Sequence, residues 1–146
     1  STPCPCGDAG LTGNGCPNSV HAEGGHLGAL GLAQVSNDSL VLDANHLPTS
    51  TALFFQGTDP ENGGAGTVLG DGLLCVGGSL IRLRTKPISA SGVSFPEPGD
   101  PSVSVRGLVP AAGATRNYQL WYRNAASWCT PATFNTTNAV RVLWVP

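Results

Sequence analysis

Short runs of alternating apolar and polar residues, each ended by glycine, proline or asparagine, dominate the sequence from residue 27 onward. In NYQLWYR, Tyr118, Leu120 and Tyr122 occupy alternate positions, which is the pattern of a half-buried β-strand. No stretch has the period of a long amphipathic helix, and turn formers such as NHLPTS and FPEPGDP separate the runs. The pattern predicts an all-β fold, either an antiparallel β-sandwich or a Greek-key barrel of about 7–9 short strands. The strands are predicted at 27–35, 39–44, 51–57, 67–69, 73–76, 79–85, 102–108, 115–123 and 139–145.

The first 26 residues have a different texture, because cysteine, glycine and proline crowd them and no periodicity runs through them. We therefore predict an irregular, disulfide-bonded N-terminal lead over residues 1–26 and a β-sandwich domain over residues 27–146. The domain is long enough to bury one hydrophobic core. A lead without regular structure is a candidate arm that reaches a neighbouring subunit.

Cysteine content and low charge predict the compartment of the protein. The chain has five cysteines, no methionine and only 11% charged residues. Cysteine-containing domains of this kind are typical of oxidising environments, so we expect an extracellular or cell-surface location. We also expect that a secretion signal or an upstream segment has already been removed.

The pairing of the cysteines stays open at the level of sequence, because an odd number allows many connectivities. We favour a bridge between Cys75 and Cys129, which would hold the irregular segment 124–138 against the sheet. A second bridge is expected between Cys16 and either Cys4 or Cys6. The remaining thiol is predicted to be free and buried, or to form a bond with another chain.

Metal and cofactor chemistry finds little support in the residue pattern. Cys4 and Cys6 form a C-x-C pair, which differs from the C-x2–4-C spacing of zinc sites, so no metal site is predicted. Several carboxylates lie in glycine-rich turns, which are a source of calcium ligands, although the EF-hand spacing is absent. Calcium is thus the only cofactor that the sequence leaves open. The carboxylates are those of Asp59, Glu61, Asp71 and Asp100.

Catalytic residues are not predicted. The G-x-S-x-G motif of a nucleophile elbow is absent, and the three histidines, His21, His26 and His46, lie in lead or turn contexts. A secreted hydrolase is kept as an alternative, because the members of a catalytic triad need not be close in sequence. It requires one of these histidines within hydrogen-bonding distance of a serine or an acid in a cleft.

Aromatic residues and sequons suggest contacts with sugars. Trp128 lies in an irregular segment and Trp121 in a predicted strand, and exposed aromatic rings of this kind stack on sugars. A carbohydrate-binding module is therefore an alternative function. Asn37 and Asn135 each begin an N-x-S/T sequon, which makes them candidate glycosylation sites.

Several blocks resemble a Cys/Gly-rich β-domain of secreted bacterial proteins, a family with no assigned function. These blocks are CPCGDAGLTGNGCPNS, FFQGT, GDGLLCVGGSLIRL, GDPSVSVRG and YQLWYRNAASWCTPATFNTTN. The resemblance extends from Cys4 to Trp144 and implies an extracellular all-β module, often at the C-terminal end of longer proteins. It also implies a further cysteine upstream of Cys4, whose loss would explain the odd thiol. It supplies no catalytic residue.

Together, these features predict a non-catalytic extracellular structural or adhesive module. We expect it to be the repeating subunit of a surface fibre or pilus-like filament, linked by strand addition or by exchange of the N-terminal arm. Its partners would be further copies of itself, neighbouring domains of a longer protein, or glycans. Scattered Lys and Arg at a net charge of −2 argue against nucleic acid, and the lack of a long apolar run argues against membrane insertion.

Overall fold

The computed structural model describes residues 1–146, and it is all-β as the sequence predicts. It has more strands than the nine predicted, because several consist of only two or three residues. The strands are β1 His26–Leu30, β2 Val41–Asn45, β3 Thr51–Gly57, β4 Asp59–Pro60, β5 Thr67–Leu69, β6 Gly72–Leu74, β7 Val76–Gly77, β8 Ile81–Pro87, β9 Val93–Phe95, β10 Ala114–Arg123, β11 Phe134–Thr136 and β12 Val140–Trp144. The helical segments are α1 Val103–Arg106 and two 3-10 turns, Val35–Asn37 and Glu61–Gly64. No helix is long and apolar enough to cross a membrane.

Two antiparallel sheets form the body of the protein. One has three strands in the order β1-β2-β9, and the other has the order β11-β10-β3-β8. Two strands pair along the same edge of β10. β11 pairs with the C-terminal end of β10, and β12, the fifth strand of this sheet, pairs with its N-terminal end. The side chain of Asn138 joins the two sheets, since it donates to the carbonyl of Leu27 (2.9 Å) and accepts from the Leu27 N–H (2.8 Å).

The hydrophobic core lies between these two sheets. It contains 18 buried residues, contributed by both sheets, by α1 and by the connecting segments. Tyr118, Leu120 and Tyr122 belong to this core whereas the intervening Gln119 and Trp121 do not, so the alternation predicted for β10 is confirmed. The hydroxyl of Tyr118 accepts a hydrogen bond from Trp144 Nε1 (2.8 Å) and donates one to Gln56 Oε1 (3.0 Å). These contacts satisfy the polar atoms of the largest core side chains, as buried polar groups require.

The segment 102–108 is not the predicted strand. Val103–Arg106 form the single turn of α1, so Val103 is buried while Val105 is 65% exposed. A four-residue alternation of serine and valine is too short to distinguish a strand from one helical turn. The backbone N–H of Ser104 donates to Asp38 Oδ2 (2.8 Å), and this contact helps to hold the turn in place.

The N-terminal lead folds back onto its own chain through two disulfides, Cys4–Cys16 and Cys6–Cys129. The predicted Cys75–Cys129 bridge is therefore wrong, while Cys4 is the correct one of the two predicted partners of Cys16. Cys129 is bonded to Cys6 instead, and the loop that carries it packs on the lead, where Trp128 Nε1 donates to the Pro17 carbonyl (3.3 Å). The segment 124–138 is thus fixed to the lead by its disulfide.

Cys75 is the cysteine left over, and it lies in the body of the protein. Its side chain is half-buried, and this burial raises the pKa of the Cys75 thiol above its usual value. A raised pKa keeps the thiol protonated and weakly nucleophilic near neutral pH.

Candidate functional site

An apolar groove of about 510 Å³ lies on the face of the five-stranded sheet that points away from the core. We call it the outer groove. Eight of its eleven lining residues are hydrophobic, and the only charged one is Arg82. The lining residues are Thr51, Ala52, Leu53, Phe55, Leu69, Leu74, Leu80, Ile81, Arg82, Thr85 and Trp121. A concave, mostly apolar surface with a few polar groups is the usual form of a small-molecule site.

One side of the outer groove is formed by the β5–β6 hairpin, which covers the neighbouring part of the same sheet face. Gln119 holds this cover in place from β10. Its Nε2 donates to the carbonyls of Leu73 (2.8 Å) and Thr137 (2.7 Å), and its Oε1 accepts from the Cys75 N–H (3.0 Å). Gln119 is fully buried beneath the hairpin. The outer groove lies beside the hairpin, which contributes Leu69 and Leu74 to the lining.

The turn of this hairpin is held by the buried carboxylate of Asp71. One of its oxygens accepts from the N–H (3.0 Å) and the hydroxyl (2.8 Å) of Thr130, and the other accepts from Asn124 Nδ2 (3.0 Å). The neighbouring Gly72 lies so close to Asn135 and Thr136 that a Cβ at this position would overlap their side-chain oxygens. Asp71 therefore ties the hairpin to the loop that carries Cys129, and the wall of the groove is rigidly attached to the body.

A β-bulge in β8 shapes the opposite side of the outer groove. Phe54 pairs with Arg84 and Phe55 with Arg82, so Leu83 is an extra residue in β8. Residues three apart on a regular strand point to opposite faces, but the bulge places both Arg82 and Thr85 in the groove. The carbonyl of Leu83 accepts a hydrogen bond from Arg106 Nε (3.0 Å). Bulges are common beside functional sites, where they redirect side chains.

Trp121 occupies the floor of the outer groove, with its ring already in contact with other side chains. It stacks on Phe134 at a centroid distance of 5.4 Å, and the Arg123 guanidinium lies 4.9 Å from its centroid. Trp128 is 43% exposed and does not line the groove. The structure therefore does not combine the two predicted aromatic residues into one sugar-stacking surface.

The three histidines lie outside the outer groove. His21 Nδ1 is 3.5 Å and His46 Nε2 is 3.8 Å from Glu23 Oε1, and all three side chains are partly exposed. A backbone hydrogen bond is the main cause that lowers the pKa of Glu23, and the charges of the two histidines act in the same direction. His26 Nδ1 contacts Asn14 Oδ1 (3.0 Å). No serine hydroxyl forms a hydrogen bond with any of them.

The four carboxylates considered as calcium ligands, those of Asp59, Glu61, Asp71 and Asp100, do not gather into one metal-binding group. Asp100 pairs with Lys86 (2.6 Å) and Arg84 (3.2 Å), and the hydrogen bond from Lys86 is the main cause that lowers the pKa of Asp100. Asp59 accepts from Thr58 (2.7 Å), and the carboxylate of Asp71 is used by Thr130 and Asn124, as described above. No group of three or more His, Cys, Asp or Glu side chains is arranged to hold a metal ion.

The two sequons differ in accessibility. Asn37 is exposed in the first 3-10 turn, where a glycan would project into solvent. Asn135 is fully buried, and its Nδ2 donates to the Pro17 carbonyl (2.8 Å). The attachment atom of Asn135 is therefore closed off in the folded protein.

Sequence reasoning did not find most of the residues that form the outer groove. Trp121 was a candidate, but Leu53, Phe55 and Arg82 were not, because an alternating strand pattern does not show that a sheet face is left partly open. The apolar pair Phe54–Phe55 was the available signal, since consecutive strand residues face opposite sides and both are large.

No protein-family model, no curated protein and no solved structure matches this chain.

Proposed function

We propose that this protein is a non-catalytic extracellular adhesive module that holds a ligand in the outer groove. The observation that carries the proposal is the groove itself, an apolar concavity on a rigid sheet with no segment of the chain placed over it. Leu53 and Phe55 of β3 and Trp121 of β10 give it a floor that belongs to regular strands. Sites built on strands hold their geometry better than sites built on loops.

The disulfides support an extracellular location for this module. Cys6–Cys129 and Cys4–Cys16 hold the lead and the loop that contains Trp128 in place, and such bridges persist in oxidising compartments. The protein has few charged residues and is stabilised by the two disulfides and by the buried hydrogen bonds of Gln119 and Asp71. These features suit a module that works outside the cell.

Assembly into a filament stays a prediction, and the fold offers less support for the two linkage modes expected from the sequence. The lead is bridged to its own chain through Cys6, so it is not a free arm in this conformation. The β8 edge carries Arg82, Arg84 and Lys86, and charges of this kind protect edge strands from strand addition. We therefore base the adhesive function on the groove.

The two alternative functions have weaker support than adhesion. Sugar binding needs exposed, coplanar aromatic rings, whereas Phe134 and Arg123 already lie against the ring of Trp121. Hydrolysis was expected to need a histidine beside a serine or an acid in a cleft. His21 and His46 lie near the acid Glu23, but no serine hydroxyl is bonded to them and none of the three residues lines the outer groove.

Retention on octyl-agarose tests the proposed adhesion, with Leu53→Thr as the variant. Leu53 lines the groove, and threonine removes apolar surface there while its β-branched side chain is one that strands prefer. We expect the wild-type protein to be retained and Leu53→Thr to elute clearly earlier. Leu143→Thr is the matched control, because Leu143 is 68% exposed on β12 outside the groove, and it should elute like the wild type. Equal retention of Leu53→Thr and Leu143→Thr would contradict the proposal.

A further inference from the structure

Arg82 is a charged residue that has no partner in the structure. The two neighbouring cations of β8 are neutralised, since Arg84 pairs with Asp100 and Lys86 pairs with both Asp100 and Glu97. The side chain of Arg82 forms no ion pair and no hydrogen bond, and it is the only charged one in the lining of the outer groove. The bulge at Leu83 places its side chain on the groove face.

The only charged side chain in the lining of the outer groove is positive. None of its lining residues is acidic. A second cation, Arg123, lies against Trp121 on the floor, where its Nη1 donates only to the hydroxyl of Thr133 (2.8 Å). A ligand that fits this surface is apolar along most of its length and negative at one end, because guanidinium groups bind carboxylates by paired, charge-assisted hydrogen bonds.

The lining also distinguishes an acyl chain from a peptide. Thr51, Thr85 and Arg82 are the only polar residues that line the groove. The backbone of β3, which forms its floor, pairs with β8 on one side and with β10 on the other. A peptide laid on this floor would bury its own amide groups without partners, which is unfavourable. An aliphatic chain has no such groups.

On this basis, we infer that the outer groove binds a linear aliphatic carboxylate, with the chain along the apolar lining and the carboxylate on Arg82. The inference rests on the proposed adhesive function of the groove and names the class of ligand. The volume of about 510 Å³ falls in the range of small-molecule sites. A fatty acid is the simplest ligand with this chemistry.

Titration with three probes that share a ten-carbon chain tests the inference, with Trp fluorescence as the readout. The two ionic probes are kept below their micelle-forming concentrations and 1-decanol below its solubility limit. Decanoate should bind about tenfold more tightly than 1-decanol, and decyltrimethylammonium should bind most weakly, because only decanoate forms a charge-assisted contact with Arg82. Arg82→Gln should weaken decanoate binding by about tenfold and leave 1-decanol binding unchanged. Arg141→Gln, which removes an exposed and unpaired arginine on β12, should leave both unchanged.

The possible outcomes distinguish a wrong ligand class from the absence of a binding site in the outer groove. If 1-decanol binds as tightly as decanoate, or if Arg82→Gln leaves decanoate binding unaffected, the carboxylate inference is wrong and the groove is still an apolar site. If none of the three probes binds, the proposed function fails as well. Since Arg82 is exposed and has no partner, Arg82→Gln should unfold at the wild-type temperature, which shows that a loss of binding is local.

Discussion

Replacing Cys6 and Cys129 together by serine is expected to lower the free energy of unfolding by about 4–5 kcal/mol. The bridge spans 123 residues of sequence, so its loss greatly increases the conformational freedom of the unfolded chain. For a chain of this length, such a loss corresponds to a decrease in Tm of roughly 10–20 °C. Thermal unfolding under non-reducing conditions, followed by circular dichroism, measures the change.

Two control variants show whether the effect belongs to this pair. Removal of the Cys4–Cys16 bridge, which spans only 12 residues, should cost about 3 kcal/mol in the same chain-entropy model. Cys75→Ser should change the free energy of unfolding by less than about 1 kcal/mol, because its thiol is unpaired and only half-buried. A loss with Cys75→Ser as large as that of the Cys6 and Cys129 double variant would contradict this pairing and support a Cys75–Cys129 bridge, because both variants would break it.

Replacing Trp144 by alanine is expected to destabilise the protein by about 3–5 kcal/mol. Its side chain is 2% exposed in the core between the sheets, so alanine leaves a cavity there. The change also removes the hydrogen bond from Nε1 to the buried Tyr118 hydroxyl. Equilibrium urea unfolding measures the loss.

The neighbouring Leu143 provides the control for this substitution. It lies on the same strand with its side chain pointing outward, 68% exposed, so Leu143→Ala should change the free energy of unfolding by less than about 0.5 kcal/mol. Similar losses for Trp144→Ala and Leu143→Ala would mean that β12 does not have the register described here.

The sequence predicted the parts of the fold in which one face of a strand is buried. Tyr118 and Tyr122 on β10 and Val142 and Trp144 on β12 alternate with outward-facing residues, and burial of one face produces that period. In α1, four residues were too few for the period to distinguish strand from helix. The partner of Cys129 could not be predicted either, because a bridge across 123 residues depends on how the lead folds back.

The outer groove was predictable only in part, for a local physical reason. A sequence pattern assumes an unbroken register, and the bulge at Leu83 breaks it, which brings Arg82 and Thr85 to one face. The open part of that face also depends on Gln119 and Asp71, two polar residues that are buried because they hold the β5–β6 hairpin. Buried polar side chains in such roles have no signature in a hydrophobic pattern.

The most direct test of the groove as the binding site is a two-dimensional ¹H–¹⁵N NMR titration of the wild-type protein with decanoate. The account predicts saturable shifts in the amides of Leu53, Phe55 and Arg82 and in the indole N–H of Trp121, with the three-stranded sheet unchanged. Shifts confined to β1, β2 and β9 or to the N-terminal lead, or no shifts at the highest soluble decanoate concentration, would contradict it.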